Sequence, residues 1–328
     1  MVFDGLQKLI DNSKTEDFYD LALKVFHFQA QNNLVYKSYI NFLKIDSTKI
    51  SNISDIPFLP IEFFKNFEVK SSEFVPEIIF ESSSTTNSGV SKHFVKSKSI
   101  YKNSFCKSFN YFYKHYENYC HLALLPSYLE RTNSSLVYQI NHFIKHSKFS
   151  ESNFFLNEFE ALKNVLVQNE EKKIPTILWG VSFGLLDFVE TYQLKLKYTI
   201  VIETGGMKGR RKELIREDLH KKLKEGFGIE NIQSEYGMTE LMSQSYSLKN
   251  GRFACPLSMK VFATELNDPF SDWIVGKNGL LNIIDLNNLH SCCFIKTSDI
   301  GKVYNDGSFE VLGRMDYSET RGCNLMVL

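Results

Sequence analysis

The sequence predicts an α/β fold, with helix-flanked β-sheets followed by a smaller β region. Three observations carry that prediction. Between residues 174 and 237, short apolar runs alternate with amphipathic stretches: PTILWG then FGLLDFVETYQL, YTIVIETGG then KGRRKELIREDLHKKLKEGFG, and finally NIQSEYG. The next tract is β-rich, through KVFATEL, GLLNIIDL, CCFIKTSD and GKVYNDGSFEVLG, with Asn305, Asp306 and Gly307 as a hairpin signal. Apolar residues make up 43% of the 328, including 28 Phe, which suffices for a packed core and excludes a disordered chain.

The elements follow in order. Residues 1–50 read as a helical N-terminal segment packed on a main domain spanning 51–328, since MVFDGLQKLIDNSKTEDFYDLALKVFHFQ is amphipathic. IPFLPIEFFKNF (56–67) contains Pro57 and Pro60 and reads as an extended connector. VPEIIFESSS is a strand entering a polar loop, and SIYKNSFCKSFNYFYKHY (99–116) is the helix after it. HLALLPS (121–127) reads as a buried strand, while SSLVYQINHFIKH and NEFEALKNVLVQN have helical spacing. There is no internal repeat and no low-complexity linker.

Charge and composition exclude several classes. Lys+Arg and Asp+Glu both number 38, which gives no global attraction to nucleic acid or to anionic membrane. No stretch reaches the roughly 20 apolar residues that span a bilayer. The start lacks a cationic region followed by an apolar run, so no signal peptide is expected. The six cysteines include the adjacent Cys292 and Cys293 but no CxxC pair, which fits a reduced, cytoplasmic protein without a zinc site. His27, His115, His121, His142 and His146 are scattered and read as structural or surface residues.

Several short motifs carry chemistry. FESSSTTNSGVSK (80–92) combines hydroxyls, Gly89 and Lys92 as a phosphate cradle would, yet lacks the G-x-x-x-x-G-K-[ST] spacing of a Walker loop. EYGMTE (235–240) follows a strand end, where α/β folds place ligands. Gly237 permits close backbone approach, Thr239 offers a hydroxyl, and Glu240 is a hard oxygen ligand suited to Mg²⁺; a tight turn beside an exposed glutamate would account for the same residues. TSD (297–299) opens a loop before a hairpin, and Asp299 there suits paired ribose hydroxyls, or an Asx turn. GRMD (313–316) sets Arg314 just after a strand, as a fork for phosphate or hydroxyls, or as a surface ion pair. GVSFG (180–184) matches the G-x-S-x-G nucleophile elbow between a strand and a helix, with Ser182, Asp285 and His290 in the hydrolase order but no oxyanion motif before it. Cys323, in RGCNLMVL, is either an acyl-carrying thiol or a cysteine packed in an apolar tail.

The order of these motifs resembles that of the adenylate-forming enzymes, the acyl-CoA synthetase and luciferase superfamily. Within it the chain looks like the LuxE-type acyl-protein synthetases, long-chain fatty acid–protein ligases that supply a fatty-acid reductase. LPSYLERTNSSLVYQ (125–139) and ETRGCNLMVL (319–328) carry that closer likeness, which runs from about residue 50 to the end. The resemblance implies the large N-terminal-type domain of these enzymes, without their usual mobile C-terminal domain, because the sequence ends soon after Asp316.

It also implies roles. Ser83, Thr85, Thr86 and Lys92 would cover the β- and γ-phosphates of ATP. Gly205 and Gly206 would flank the adenine, with Tyr236 stacked near it beside Gly237. Thr239 would bond the α-phosphate, Glu240 would help hold Mg²⁺, and Asp299 with Arg314 would hold the ribose. WGVSFG would line the acyl pocket, and Cys323 would carry the acyl thioester for delivery to an acyl-CoA or fatty-acid reductase partner. Two departures stand out. Ser84 and Asn87 occupy positions where the family loop has glycine, and the cation at the α-phosphate is left to Lys92, Lys296 or a partner. Two alternatives follow: a ligase passing the acyl group to free coenzyme A or a carrier protein, and a scaffold of the same fold that no longer activates acids.

Overall fold

The computed structural model describes residues 2–82, 89–125, 133–205, 214–268 and 270–315. Three helices open the chain: α1 (Val2–Asp11), α2 (Phe18–Asn32) and α3 (Leu34–Phe42). Asn33 caps α3 by accepting from the Tyr36 amide. β1 (Leu59–Pro60) and α4 (Phe63–Asn66) then occupy the segment expected to be an extended connector. Pro60 can sit in that strand because β1 is short and edges its sheet, pairing only with later residues 295–296.

β2 (Ile78–Glu81) and β3 (Lys92–Val95) form an antiparallel hairpin whose tip is the serine-rich loop. Ser82 and Ser91 close its base, each backbone amide bonding to the other residue. α5 (Lys98–Tyr113) follows, starting on the Ser97 cap and stopping short of the expected residue 116 where Lys114 turns to positive φ.

The centre of the chain is a βα alternation: β4 (Cys120–Leu124), α6 (Ser135–His146), β5 (Asn153–Phe155), α7 (Phe159–Glu171), β6 (Thr176–Gly180), α8 (Ser182–Thr191), β7 (Thr199–Glu203), α9 (Arg216–Phe227), β8 (Gln233–Tyr236) and β9 (Ser245–Ser247). These strands build one sheet in the order β5-β4-β6-β7-β8-β9, parallel except for β9. Its strands read as continuous apolar runs because helices cover both faces; every residue of β4 and β6 is buried. The strand order reverses between β4 and β6, so the crevice where such sheets take ligands opens outside the carboxyl ends of these two strands, with β7 and β8 next in order. At the end of β6, a Cβ on Gly180 would lie 2.5 Å from Leu185, so glycine is what lets α8 pack this close to the strand.

The last strands are β10 (Met259–Thr264), β11 (Asn278–Asp285), β12 (Phe294–Val303) and β13 (Phe309–Arg314). With β1 they form a five-stranded sheet in which β12 pairs with β11 on one side and with β1 and β13 in succession on the other. The hairpin at Asn305–Gly307 joins β12 to β13 as its sequence predicts. Thr297–Asp299, expected to open a loop, lies inside the ten-residue β12, because this strand runs on past the short β1 and is paired with β13 instead. Arg314 correspondingly ends β13 rather than following it.

Two apolar clusters hold these parts. One surrounds Trp179 of the parallel sheet and Phe109 of α5; the other joins Phe26 and Tyr36 of the opening helices to Phe294 of β12. Gln29 stitches α2 to the β11–β12 connection by donating to the carbonyls of Asn288, Leu289 and Ser291 and accepting from the Cys293 amide. Among the described residues, no helix is long and apolar enough to cross a membrane.

Candidate active site

The turn after β8, residues 237–244, is held from three directions. On β3, the buried His93 brings its Nδ1 within 2.8 Å of the Thr239 carbonyl, to which it must donate. Near it, Ser91 at the base of the serine-rich loop faces the Glu240 carboxylate and lowers its pKa. From the β11–β12 connection, Asn288 Nδ2 donates to the Glu240 carbonyl at 2.7 Å. Asp285 accepts from the Met242 and Ser243 amides at 2.8 and 2.9 Å and from the Ser243 hydroxyl at 2.7 Å. Burial pushes the His93 pKa down to about 4, so this clamp is neutral at physiological pH.

Asp299 meets this turn from β12. Its Oδ2 accepts from the Tyr236 hydroxyl at 2.7 Å and its Oδ1 from Arg314 Nε at 3.1 Å, across the β12–β13 register. Tyr236 is enclosed by protein, its ring edging those of Phe253 and Phe309, rather than lying open for a base to stack upon. Glu240 is buried, not the exposed residue of a simple turn. Burial raises its pKa, opposed by Ser91 and by Arg314, and Asp299 adds to the rise. Glu240, Asp299 and Arg314 therefore feel one another within one site.

The glycine turn after β7 is built by a carboxylate. Glu203 accepts from the Gly205 amide at 2.7 Å and from the Ser182 hydroxyl at 2.5 Å, and Gly205 takes φ +77°, which glycine adopts without strain. Ser182 thus donates its proton to a buried carboxylate at the start of α8. Asp285, the acid of a hydrolase order, is committed to the Met242–Ser243 backbone. An esterase triad does not assemble from these groups.

The structure brings Thr239, Glu240, Tyr236, Gly237, Asp299 and Arg314 together, with Lys92 exposed at the start of β3 and Gly205 at the end of the neighbouring strand. Ser83, Thr85, Thr86, Gly206, Asp316 and Cys323 lie outside the described residues. Sequence reading passed over His93, Asn288, Glu203 and Glu235. A signal existed for two of them: His93 stands on the strand returning from the loop, and Glu235 opens the EYGMTE motif itself.

The donor set suits a magnesium nucleotide. Magnesium is commonly held by one or two carboxylates together with phosphate oxygens, and the buried Glu240 carboxylate supplies such an oxygen. Among the described residues, no three His, Cys, Asp or Glu side chains gather as an all-protein metal cage.

Comparison with known proteins bears on this geometry. A family model described as "Acyl-protein synthetase, LuxE" matches residues 8–328. Among curated proteins, none matches the chain. The fold is similar to that of an open conformation of 2-hydroxyisobutyryl-CoA ligase in complex with 2-HIB-AMP and CoA, at a TM-score of 0.65 and 9% identity over 91% of this chain and 70% of that one. It is also similar to ATP-bound MatB from Rhodopseudomonas palustris, at 0.54 and 14% over 75% of this chain and 48% of that one. A luciferase-like enzyme from the nonluminescent mealworm Zophobas morio gives 0.50 and 16%, over 75% and 60%. The chain thus spans about half the length of MatB. These likenesses establish an α/β fold of the adenylate-forming type.

Proposed function

The chain belongs to the LuxE acyl-protein synthetase family, and from that premise we propose that it activates a carboxylic acid as its acyl-adenylate and then carries the acyl group on Cys323. The observation that supports the reading most is the convergence of Thr239, Glu240, Asp299 and Arg314 beside the base of the serine-rich loop, with Glu240 and Asp299 buried and the exposed Arg314 paired to Asp299.

In this reading a carboxylate oxygen of the acid attacks the α-phosphorus of ATP. The bond from that phosphorus to the bridging oxygen breaks, and pyrophosphate leaves. Little covalent work falls to the protein, so positioning and charge placement dominate. Thr239 bonds the α-phosphate, and the His93 clamp on its carbonyl fixes where that hydroxyl stands. Asp299 receives the ribose hydroxyls on lone pairs left over from Tyr236 and Arg314, since each carboxylate oxygen has two. Gly205 leaves room for the adenine, and Ser83, Thr85, Thr86 and Lys92 cover the terminal phosphates. Glu240 would hold Mg²⁺, which when bound neutralises charge on the phosphates. The Cys323 thiolate then attacks the acyl carbonyl, AMP leaves, and a reductase protein accepts the thioester-bound acyl group.

The test is the intact mass of the protein after incubation with Mg²⁺, ATP and acids of graded chain length. An ATP-dependent adduct removed by hydroxylamine and mapped to Cys323 is expected. Pyrophosphate release without any adduct would assign the acyl group to an external acceptor. Neither product, with the reductase partner also present, would sink the activation reading.

A further inference from the structure

Acid activation leaves one cavity without a task. It lies between α9 and the turn at Asn250 and Gly251, and its volume is about 460 Å³. That is the size of a small-molecule site, for which about 300–1,000 Å³ is usual. None of Gly205, Tyr236, Thr239, Glu240, Asp299 and Arg314 lines it, so it is separate from the proposed ATP crevice.

Both walls are built. On α9, Arg216, His220 and Lys224 recur every four residues and share one face of the helix. Arg216 lays its guanidinium over the Phe253 ring, 5.0 Å from the centroid. The facing turn takes left-handed backbone at Asn250 (φ 59°) and Gly251 (φ 66°). A Cβ on Gly251 would lie 2.7 Å from Arg216 Cδ, so glycine there answers both the backbone and the arginine.

Charge in this cavity is left without a counter-ion. Glu217, Lys221 and Glu225 stand four apart, the spacing at which opposite charges on a helix support one another. Arg216 and Lys224 have no acid three or four residues away within α9, and neither forms an ion pair with a described residue. Arg216 is half-buried, and its Nη1 is enclosed without a hydrogen bond. The guanidinium has thus given up water on one side and gained no partner. Local helix chemistry does not ask for this cation either, since a positive charge at a helix N-terminus opposes the macrodipole.

We propose that the cavity binds a small phosphate-bearing molecule, with the phosphate on Arg216 and Lys224 and hydroxyl groups on Glu217, Glu225 and Asn250. A guanidinium and an ammonium match the roughly two negative charges of a phosphate monoester at pH 7, whereas a carboxylate brings one. Glu217 and Glu225 repel an anion but accept from hydroxyls, which points to the class of nucleotides and sugar phosphates rather than to an apolar acid. The Phe253 ring under Arg216 edges Tyr236, whose hydroxyl donates to Asp299, so the cavity stands one aromatic layer from the proposed ribose contact.

His220, buried between Arg216 and Lys224 on their helix face, reports occupancy. Burial holds its pKa down; Glu203 and Glu217 oppose this, while Arg216 and Lys224 lower it further. An anion on those two cations should therefore raise it. The experiment is an NMR titration of the full chain with labelled histidine, the His220 signal being assigned through His220→Gln. The probes are ribose 5-phosphate, inorganic phosphate and succinate at constant ionic strength. The His220 signal is expected to shift saturably, with ribose 5-phosphate binding tightest. Arg216→Gln and Lys224→Gln should each weaken that binding about 10-fold. Succinate or bare phosphate binding as tightly as ribose 5-phosphate, equal shifts in wild type and both variants, or no saturable shift overturns the proposal. A shift lost in Lys92→Gln but kept in Arg216→Gln also overturns it, since the anion would then sit in the ATP crevice. Should Arg216→Gln fail to fold without its stack on Phe253, Lys224→Gln decides.

Discussion

The imidazole of His93 and the carbonyl of Thr239 stand 2.8 Å apart, joining the strand that returns from the serine-rich loop to the turn after β8. The two residues are 146 positions apart in sequence. The bond ties the loop base to the turn after β8, and the T-shaped contact of His93 with Phe64 fixes the ring plane. Because Nδ1 is the donor, asparagine, whose amide nitrogen falls near that atom, should replace it. His93→Asn is expected to keep most of the activity. His93→Phe keeps the volume but strands the carbonyl, and should lower kcat about 10- to 100-fold. Amide hydrogen exchange across residues 236–244 should rise in the Phe variant only; equal rates in both would refute the clamp.

The same burial makes stability sensitive to acid. His93 and His121 both have pKa values pushed from 6.5 down to about 4 by burial. His121 is locked neutral by geometry: its Nε2 donates to the Tyr116 carbonyl while Trp179 Nε1 donates to its Nδ1, so a second proton would face an N–H. Below about pH 6.5 the unfolded chain takes up protons that the native chain refuses until about pH 4. This contribution is therefore full above pH 6.5 and is lost as the pH drops through that window, by on the order of 2 kcal/mol per histidine at pH 5. Urea midpoints of wild type and His121→Phe, measured between pH 8 and 5, should differ in pH dependence by one histidine's share, the variant losing less towards pH 5. The same pH dependence in both would mean that this imidazole is not buried neutral.

Asp299 and Arg314 separate binding from stability. The guanidinium is largely exposed, and an exposed ion pair adds about 0–1 kcal/mol. Arg314→Ala should leave Tm nearly unchanged while raising the KM for ATP. Asp299→Asn keeps the shape but weakens two hydrogen bonds and the proposed ribose contact, so the KM for ATP should rise about 10- to 100-fold. Initial rates at graded ATP measure both. An unchanged KM in both variants would remove the ribose assignment.

Much of this was legible in the sequence because periodicity reports burial. The alternation from PTILWG to NIQSEYG gave the parallel sheet, and Asn305–Gly307 gave the last hairpin. Boundaries failed where tertiary pairing overrode local chemistry. Thr297–Asp299 carries loop-forming residues, yet it continues β12 because β13 supplies a partner there. Pro60 argued against a strand, yet an edge position spares its missing N–H. In the site, motif residues announced themselves, but the groups that hold them did not. His93, Asn288 and Asp285 act on backbone atoms of residues far away in the chain, and nothing in their own neighbourhood encodes that. Glu235 was in view and passed over, because β-strand alternation turns it away from the motif's other side chains.

Cys323 is the last residue whose role can be put to a decisive trial. Cys106, Cys120, Cys255, Cys292 and Cys293 are all buried or half-buried, and burial raises the pKa of each thiol, those of Cys106, Cys255 and Cys292 to about 12. A protonated, enclosed thiol is a poor nucleophile. None of these five should therefore compete for an activated acyl group, which leaves Cys323 as the candidate carrier. Cys323→Ser is expected to abolish the hydroxylamine-labile adduct while still releasing about one equivalent of pyrophosphate per protein, since adenylation precedes transfer. A variant with the other five cysteines changed to alanine or serine should, if it folds, keep the adduct. If the Cys323→Ser protein still forms a hydroxylamine-labile thioester, another thiol carries the acyl group. If it forms none but passes the acyl group to free coenzyme A at the wild-type rate, the chain is a ligase with an external acceptor.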